Sequence, residues 1–228
     1  MTALELVHKQ IHPSWRKVFD EILCNQMLDK MTMLDSLVDH HPHNIFPKNN
    51  DIFRPFRVCS LDNLKVVMIF NEPYNIPGQS TGLPLEIKQL SSLANNRINE
   101  GYNVITEQSP NTFCSALTNE GYGGLFSTVD VINYSFQGVF LYNYCLTSYY
   151  GTKLKYLGVW NTISNIILAK IRRFRTDAIF VRIGEDILLS PPYNISIVTP
   201  QMSQYSTDFI NYGLFGKINH LLKEPIIW

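Results

Sequence analysis

The stretch 65–87, KVVMIFNEPYNIPGQSTGLPLEI, constrains the fold of this chain more than any other part of it. Its first six residues, Lys65 through Phe70, are a nearly unbroken apolar run rich in β-branched side chains. A parallel strand covered by helices on both faces reads this way, because neither face meets solvent. The composition then changes abruptly. Asn71, Glu72, Pro73, Tyr74, Asn75, Pro77, Gly78, Gln79, Ser80, Thr81 and Gly82 pack turn formers and polar side chains into a single loop. In open α/β sheets the crevice beyond the carboxyl end of a strand is where ligands bind. A carboxylate, a tyrosine and amide side chains held between prolines suit such a place. A plain strand-to-helix loop, with polar residues that only cap and turn, accounts for the same composition equally well.

Elsewhere the apolar spacing alternates between strand and helix. Residues 3–11 space Leu4, Val7, His8 and Ile11 for one helical face, and Pro13 stops that run. Ser14 is placed to cap a second helix carrying Trp15, Val18, Phe19, Ile22, Leu23 and Met27. A break follows at 36–45. It holds His40, His41 and His43, whose closeness invites a metal reading. Adjacent histidines in a strand or loop point apart, however, and no carboxylate or cysteine sits at helical offset, so loop composition is the reading and a metal site the lesser alternative. A helix is expected over 85–97, with a turn-rich stretch at 95–130. A second strand is expected at 138–142, the clearest helix of the chain at 156–173, strands at 177–183 and 196–198, and a closing helix at 206–223. The basic run from Lys170 to Arg175 falls where a helix dipole favours cations. Four short strands separated by helices predict a three-layer α/β/α fold with a central, mainly parallel four-stranded sheet. The expectation is one domain over 1–228, with N-terminal helices and lead-in at 1–60 and the α/β core at 61–228.

Composition sets outer limits. Nineteen basic and nineteen acidic residues cancel, so any nucleic-acid face has to be local. The four cysteines are scattered with no CxxC pair, which suggests neither a disulfide framework nor a zinc site. No apolar run reaches the ~20 residues of a membrane span, and the N-terminus lacks a signal-peptide core, so a soluble intracellular protein is expected.

Taken together, the strand-end loops resemble a known family. NEPYNIPGQSTGLPLE follows the first strand, NYCLT the second, GED the third and TPQMS the fourth, before a terminal PIIW. This order resembles that of the uracil-DNA glycosylases, from Trp15 onward. Their first motif is a strand followed by G-Q-D-P-Y-H-G-P-G-Q-A-x-G-L. Pro73, Tyr74, Pro77, Gly78, Gln79, Gly82 and Leu83 stand in register with it. Ser80 through Glu86, Gly138 through Thr147, and the terminal PIIW look more like the poxvirus branch, whose members double as a subunit of the polymerase processivity factor.

The resemblance implies no cofactor and no metal, and it implies DNA as a partner. Extrusion of deoxyuridine from DNA would precede cleavage of its glycosidic bond. It implies Asn143 as the reader of the uracil edge, Tyr74 as the block to a thymine methyl, and Asn71 as a further substrate contact. Glu72 takes the place of the aspartate that orients water. Leu85 falls where the family stacks an aromatic ring on the base, and Thr199 at or near the histidine that meets the departing uracil anion. Ser80, Gly184 and Ser203 fall in the DNA-contacting loops, and Met202 at the apolar wedge. Glu185 and Asp186, where the family holds a phosphate, would repel one.

These departures touch several catalytic contributions at once. The reading they favour is a viral-type, glycosylase-fold replication component with reduced or lost chemistry and a polymerase or processivity-factor partner, in a host cytoplasm if poxvirus-like and otherwise in a nucleus. The alternative is an active, atypical uracil-DNA glycosylase using Glu72. A third reading is a fold that has drifted to an unrelated binding role.

Overall fold

The computed structural model describes residues 1–37, 45–48, 51–76, 79–86, 109–122, 131–184, 196–203 and 206–228. Its centre is the predicted sheet. The strands β2 (Val66–Phe70), β3 (Val139–Asn143), β5 (Ile179–Arg182) and β6 (Ile197–Val198) are all parallel, in the order β3-β2-β5-β6. The apolar run beginning at Lys65 thus becomes an inner strand, buried at every position. The two-residue period of a strand divides its side chains between two cores. Val67 and Ile69, with Phe140, Tyr142 and Phe180, face one side; Val66, Met68 and Phe70, with Leu141 and Val181, face the other.

Helices cover both faces. On the first lie α1 (Ala3–His8), a 3-10 turn (Pro13–Lys17), α2 (Glu21–Leu37), α3 (Arg54–Val58) and α6 (Leu157–Phe174). Trp15, wholly buried there, packs edge-on to Phe56 and donates its indole N–H to the Cys59 carbonyl at 2.7 Å. On the second face lie α4 (Ser109–Asn119), α5 (Val131–Phe136), α7 (Thr207–Ile210) and α8 (Leu214–Leu221). A separate antiparallel ribbon pairs β1 (Ile45–Phe46) with β4 (Ser148–Tyr149), seating the chain that leaves β3.

Several sequence expectations shift. The helix expected after Ser14 is two elements: the 3-10 turn is capped by His12, and α2 begins only at Glu21. Ile22, assigned by spacing to the buried face, is 70% exposed as a result. The stretch expected to be turn-rich contains α4, and α5 directly precedes β3. The closing helix is broken at Gly213, whose φ of 73° no continuing helix allows. Leu85, expected to open a helix, has φ 68° and sits in a turn. The rest of that expected helix, the three close histidines, and Glu185 and Asp186 lie outside the described residues.

The basic end of α6 is spent on structure. Lys170 pairs with Asp20, and the Arg172 guanidinium lies 3.9 Å from the Phe180 ring centre while donating to the Ala178 carbonyl. Arg175 donates to the Leu61 carbonyl at 3.0 Å. Cations at this helix end therefore complement the dipole and clamp loops to the sheet.

Candidate active site

The candidate site lies beyond the carboxyl ends of β2 and β3. Backbone bonds continue the ladder past the strands: the Tyr144 N–H donates to the Phe70 carbonyl at 2.8 Å, and the Cys145 N–H to the Asn71 carbonyl at 2.9 Å. The Ser148 hydroxyl donates to the Tyr74 carbonyl at 3.2 Å. The polar loop after β2 is thereby fixed along the chain leaving β3. Pro73 further restricts the dihedrals of the residues around it.

This zipper surrounds a pocket lined by Phe70, Glu72, Pro73, Tyr74, Leu83, Pro84, Leu85, Asn143 and Met202. The cavity holds about 50 Å³ and opens to solvent, well below the ~300–1,000 Å³ of drug-sized ligand sites. Asn143 ends β3 directly opposite Phe70 in the parallel register. Its side chain is 3% exposed, and its Oδ1 finds no hydrogen-bond partner among the described residues. A buried amide oxygen without a partner costs about 1–3 kcal/mol, so one left at a pocket wall points to a ligand that supplies the donor.

Glu72 reaches the pocket from the loop. Both of its carboxylate oxygens accept the Leu154 N–H at 2.9 Å. Leu154 holds φ 51°, and Leu85 on the pocket wall holds φ 68°. These are the two non-glycine residues in the left-handed region among those described, and both touch this site. Such conformations cost about 1 kcal/mol or more and persist where the surroundings impose them, often at functional sites. The Glu72 charge also acts on its neighbour: the Cys145 thiol is pushed up to about 12, mainly by burial and further by Glu72.

The structure thus brings Glu72, Tyr74, Leu85, Asn143 and Met202 to one cavity. Met202 is buried and closes the cavity's side rather than projecting as a wedge. Asn71 lies on the loop, its carbonyl used by Cys145, and is not among the lining residues. Thr199 is also elsewhere. Its hydroxyl donates to the Pro200 carbonyl at 2.9 Å and accepts the Gly184 N–H at 3.2 Å. Of the residues expected at DNA, Ser80 is buried and Ser203 is exposed. Gly184 has φ 78°, and a Cβ there would fall 1.9 Å from the Gln201 side chain. Sequence reading missed Phe70 as a wall and Leu154 as the carboxylate's partner. Only the register with Asn143 exposes the first, and a backbone amide leaves no mark on residue type.

No family model matches the chain. It is 24% identical over 222 residues to a uracil-DNA glycosylase of Streptococcus agalactiae, covering 93% of this chain and 94% of the relative. It is 27% identical over 205 residues to uracil-DNA glycosylase 2 of Listeria innocua, covering 83% and 84%. The mimivirus uracil-DNA glycosylase structure superposes with TM-score 0.72 at 17% identity, over 99% of this chain and 88% of that one. The wild-type UNG structure from Nitratifractor salsuginis gives 0.58 at 14% identity, over 96% of each chain. The fold is the uracil-DNA glycosylase fold.

Proposed function

We propose that this chain is a uracil-DNA glycosylase that hydrolyses the N-glycosidic bond of deoxyuridine in DNA, with Asn143, Tyr74 and Glu72 as its working residues. The observation that carries the proposal is the orphaned Oδ1 of Asn143 at a small pocket that Glu72 and Tyr74 also line. Bacterial relatives of that name, similar along most of the chain, support it.

In this reading the base leaves the duplex and enters the pocket. The Asn143 Oδ1 accepts the imide N3–H, and its amide N–H donates to O4. Cytosine presents the opposite pattern at these positions and is refused, because the buried amide would be left unpaired. The Tyr74 ring fills the space a 5-methyl group would need. As the C1′–N1 bond breaks, positive charge grows on the sugar and negative charge on the base. The Glu72 carboxylate, held by the Leu154 amide, faces the cationic side and orients the attacking water. The bonding electrons leave with the base, and water supplies the hydroxyl at C1′ and the balancing proton.

The departing anion lacks the histidine donor that the family resemblance would place near Thr199. Losing one such preorganised donor costs about 10²–10³ in rate, so a working but slow enzyme is expected. The polymerase-subunit reading rests on the likeness of a few short segments to poxvirus proteins, whereas the cavity favours catalysis.

The test is uracil release from single-stranded and duplex oligonucleotides containing deoxyuridine. The wild type is expected to release uracil, with loss of about a hundredfold or more in Glu72→Gln and in Asn143→Ala. No release with enzyme in excess, or release untouched by both substitutions, would sink the proposal.

A further inference from the structure

We infer that the base-stacking ring of this site is Phe70, supplied from the end of the central strand rather than from the loop that carries Leu85. The inference rests on the function proposed above and assigns a specificity-determining residue to it.

A planar base held edge-on by an amide leaves its two faces to be covered, and an aromatic ring covers a face better than an aliphatic chain does. The wall expected to do this ends in Leu85, which has no ring. Among the nine described lining residues, only Phe70 and Tyr74 are aromatic, and Tyr74 is occupied with the 5-position. Phe70 is the last residue of β2. The strand's alternation sends its side chain to the same face as Val66 and Met68, into the cluster with Leu83, Leu85 and Met202, three further lining residues. It pairs in register with Asn143, so the ring stands next to the amide that grips the base edge. At 8% exposure it is nearly covered yet still lines the opening, unlike Met68 two residues earlier, which is wholly buried. A phenylalanine used only as core filling would be replaceable by leucine at small cost. One that stacks on a base would not.

The experiment compares wild type, Phe70→Leu, Leu85→Phe and the double variant F70L/L85F. It measures steady-state uracil release, product inhibition by free uracil, and urea unfolding as a check on folding. Phe70→Leu is expected to stay folded, to raise KM about tenfold, the scale of one base–ring contact, and to weaken inhibition by uracil similarly. The double variant, with a ring returned at position 85 of the same lining, is expected to recover most of both losses. An active wild type whose KM and uracil inhibition are unchanged in folded F70L would overturn the inference alone. A faster F70L would overturn it too, by showing that the ring obstructs the pocket. A wild type that neither releases nor binds uracil would overturn the functional reading, and this inference with it.

Discussion

At the scale of single residues, side-chain length decides what Glu72 does. An aspartate there would be one methylene shorter, and the carboxylate would fall short of the Leu154 amide that now holds both of its oxygens. Glu72→Asp is therefore expected to lower uracil release by about tenfold or more, despite keeping the charge and restoring the residue type the resemblance favours. Steady-state kinetics on a single-stranded substrate would show it; a faster enzyme would mean that Leu154 restrains the carboxylate unproductively. Thr199 gives the converse case. Its hydroxyl is committed between Gly184 and Pro200, and the residue is 1% exposed outside the pocket lining. Thr199→His is expected to leave the rate unrestored and to lower the urea midpoint, because a ring is larger than the space available and breaks both bonds.

At the scale of elements, the site depends on how β3 is launched. The Gly138 carbonyl accepts the N–H groups of both Lys65 and Val66, at 2.8 and 3.1 Å, starting the ladder that ends at Phe70 and Asn143. Gly138 has φ 97°, and a Cβ on it would lie 2.2 Å from the Asn63 carbonyl oxygen. Gly138→Ala combines forbidden dihedrals with a backbone collision, so a loss of about 3 kcal/mol is expected in urea unfolding. Uracil release should fall with it, since the register of β3 positions Asn143. The elements also show where local pattern reading failed. Ile22 fits the apolar period, but the chain bends between Phe19 and Glu21, and the bend turns the phase of α2 so that Ile22 faces out. The last helix reads as one amphipathic run, yet Gly213 takes a left-handed turn that lets two short helices each pack a face on the sheet.

At the scale of the whole molecule, the C-terminal tail closes the second core. The side-chain amide of Asn219 donates to the Ile226 carbonyl and accepts its N–H; Gln137 does the same for Ile227. Trp228 packs against Tyr134 and Phe215. Deleting residues 225–228 exposes this apolar surface and is expected to cost about 3 kcal/mol in chemical denaturation, with uracil release retained in the folded fraction. The buried thiols set an alkaline limit. Burial pushes Cys59 and Cys145 up to about 12. Their neutral forms stabilise the fold fully below the unfolded value of about 8.5, and that contribution is lost as pH rises through the folded values. The urea midpoint is expected to fall between pH 8 and pH 10.5, and less steeply in Cys59→Ala. On the acid side Asp20, bonded to Lys170, and Asp177, bonded to Arg175, sit below the usual carboxylate range. Their contribution is lost as pH falls through those depressed values.

Much of this protein was decided locally, and the sequence alone determined that part. The run at 65–70 had to be an inner parallel strand, because only burial on both faces tolerates so many apolar residues in a row. Four such runs with helical spacing between them determined the three layers and put the polar loop at the carboxyl end of a strand. Glu72 and Tyr74 stood out there as site candidates by residue type, and Asn143 only through the family resemblance. Groups that meet across the fold owe their meeting to packing instead: the Phe70–Asn143 pairing, the Leu154 amide on Glu72, and the placement of Thr199 outside the cavity lining. None of these leaves a local pattern. Strand register and loop path determine which atoms converge, and both are set by packing summed over the whole chain rather than by the residue types at the site.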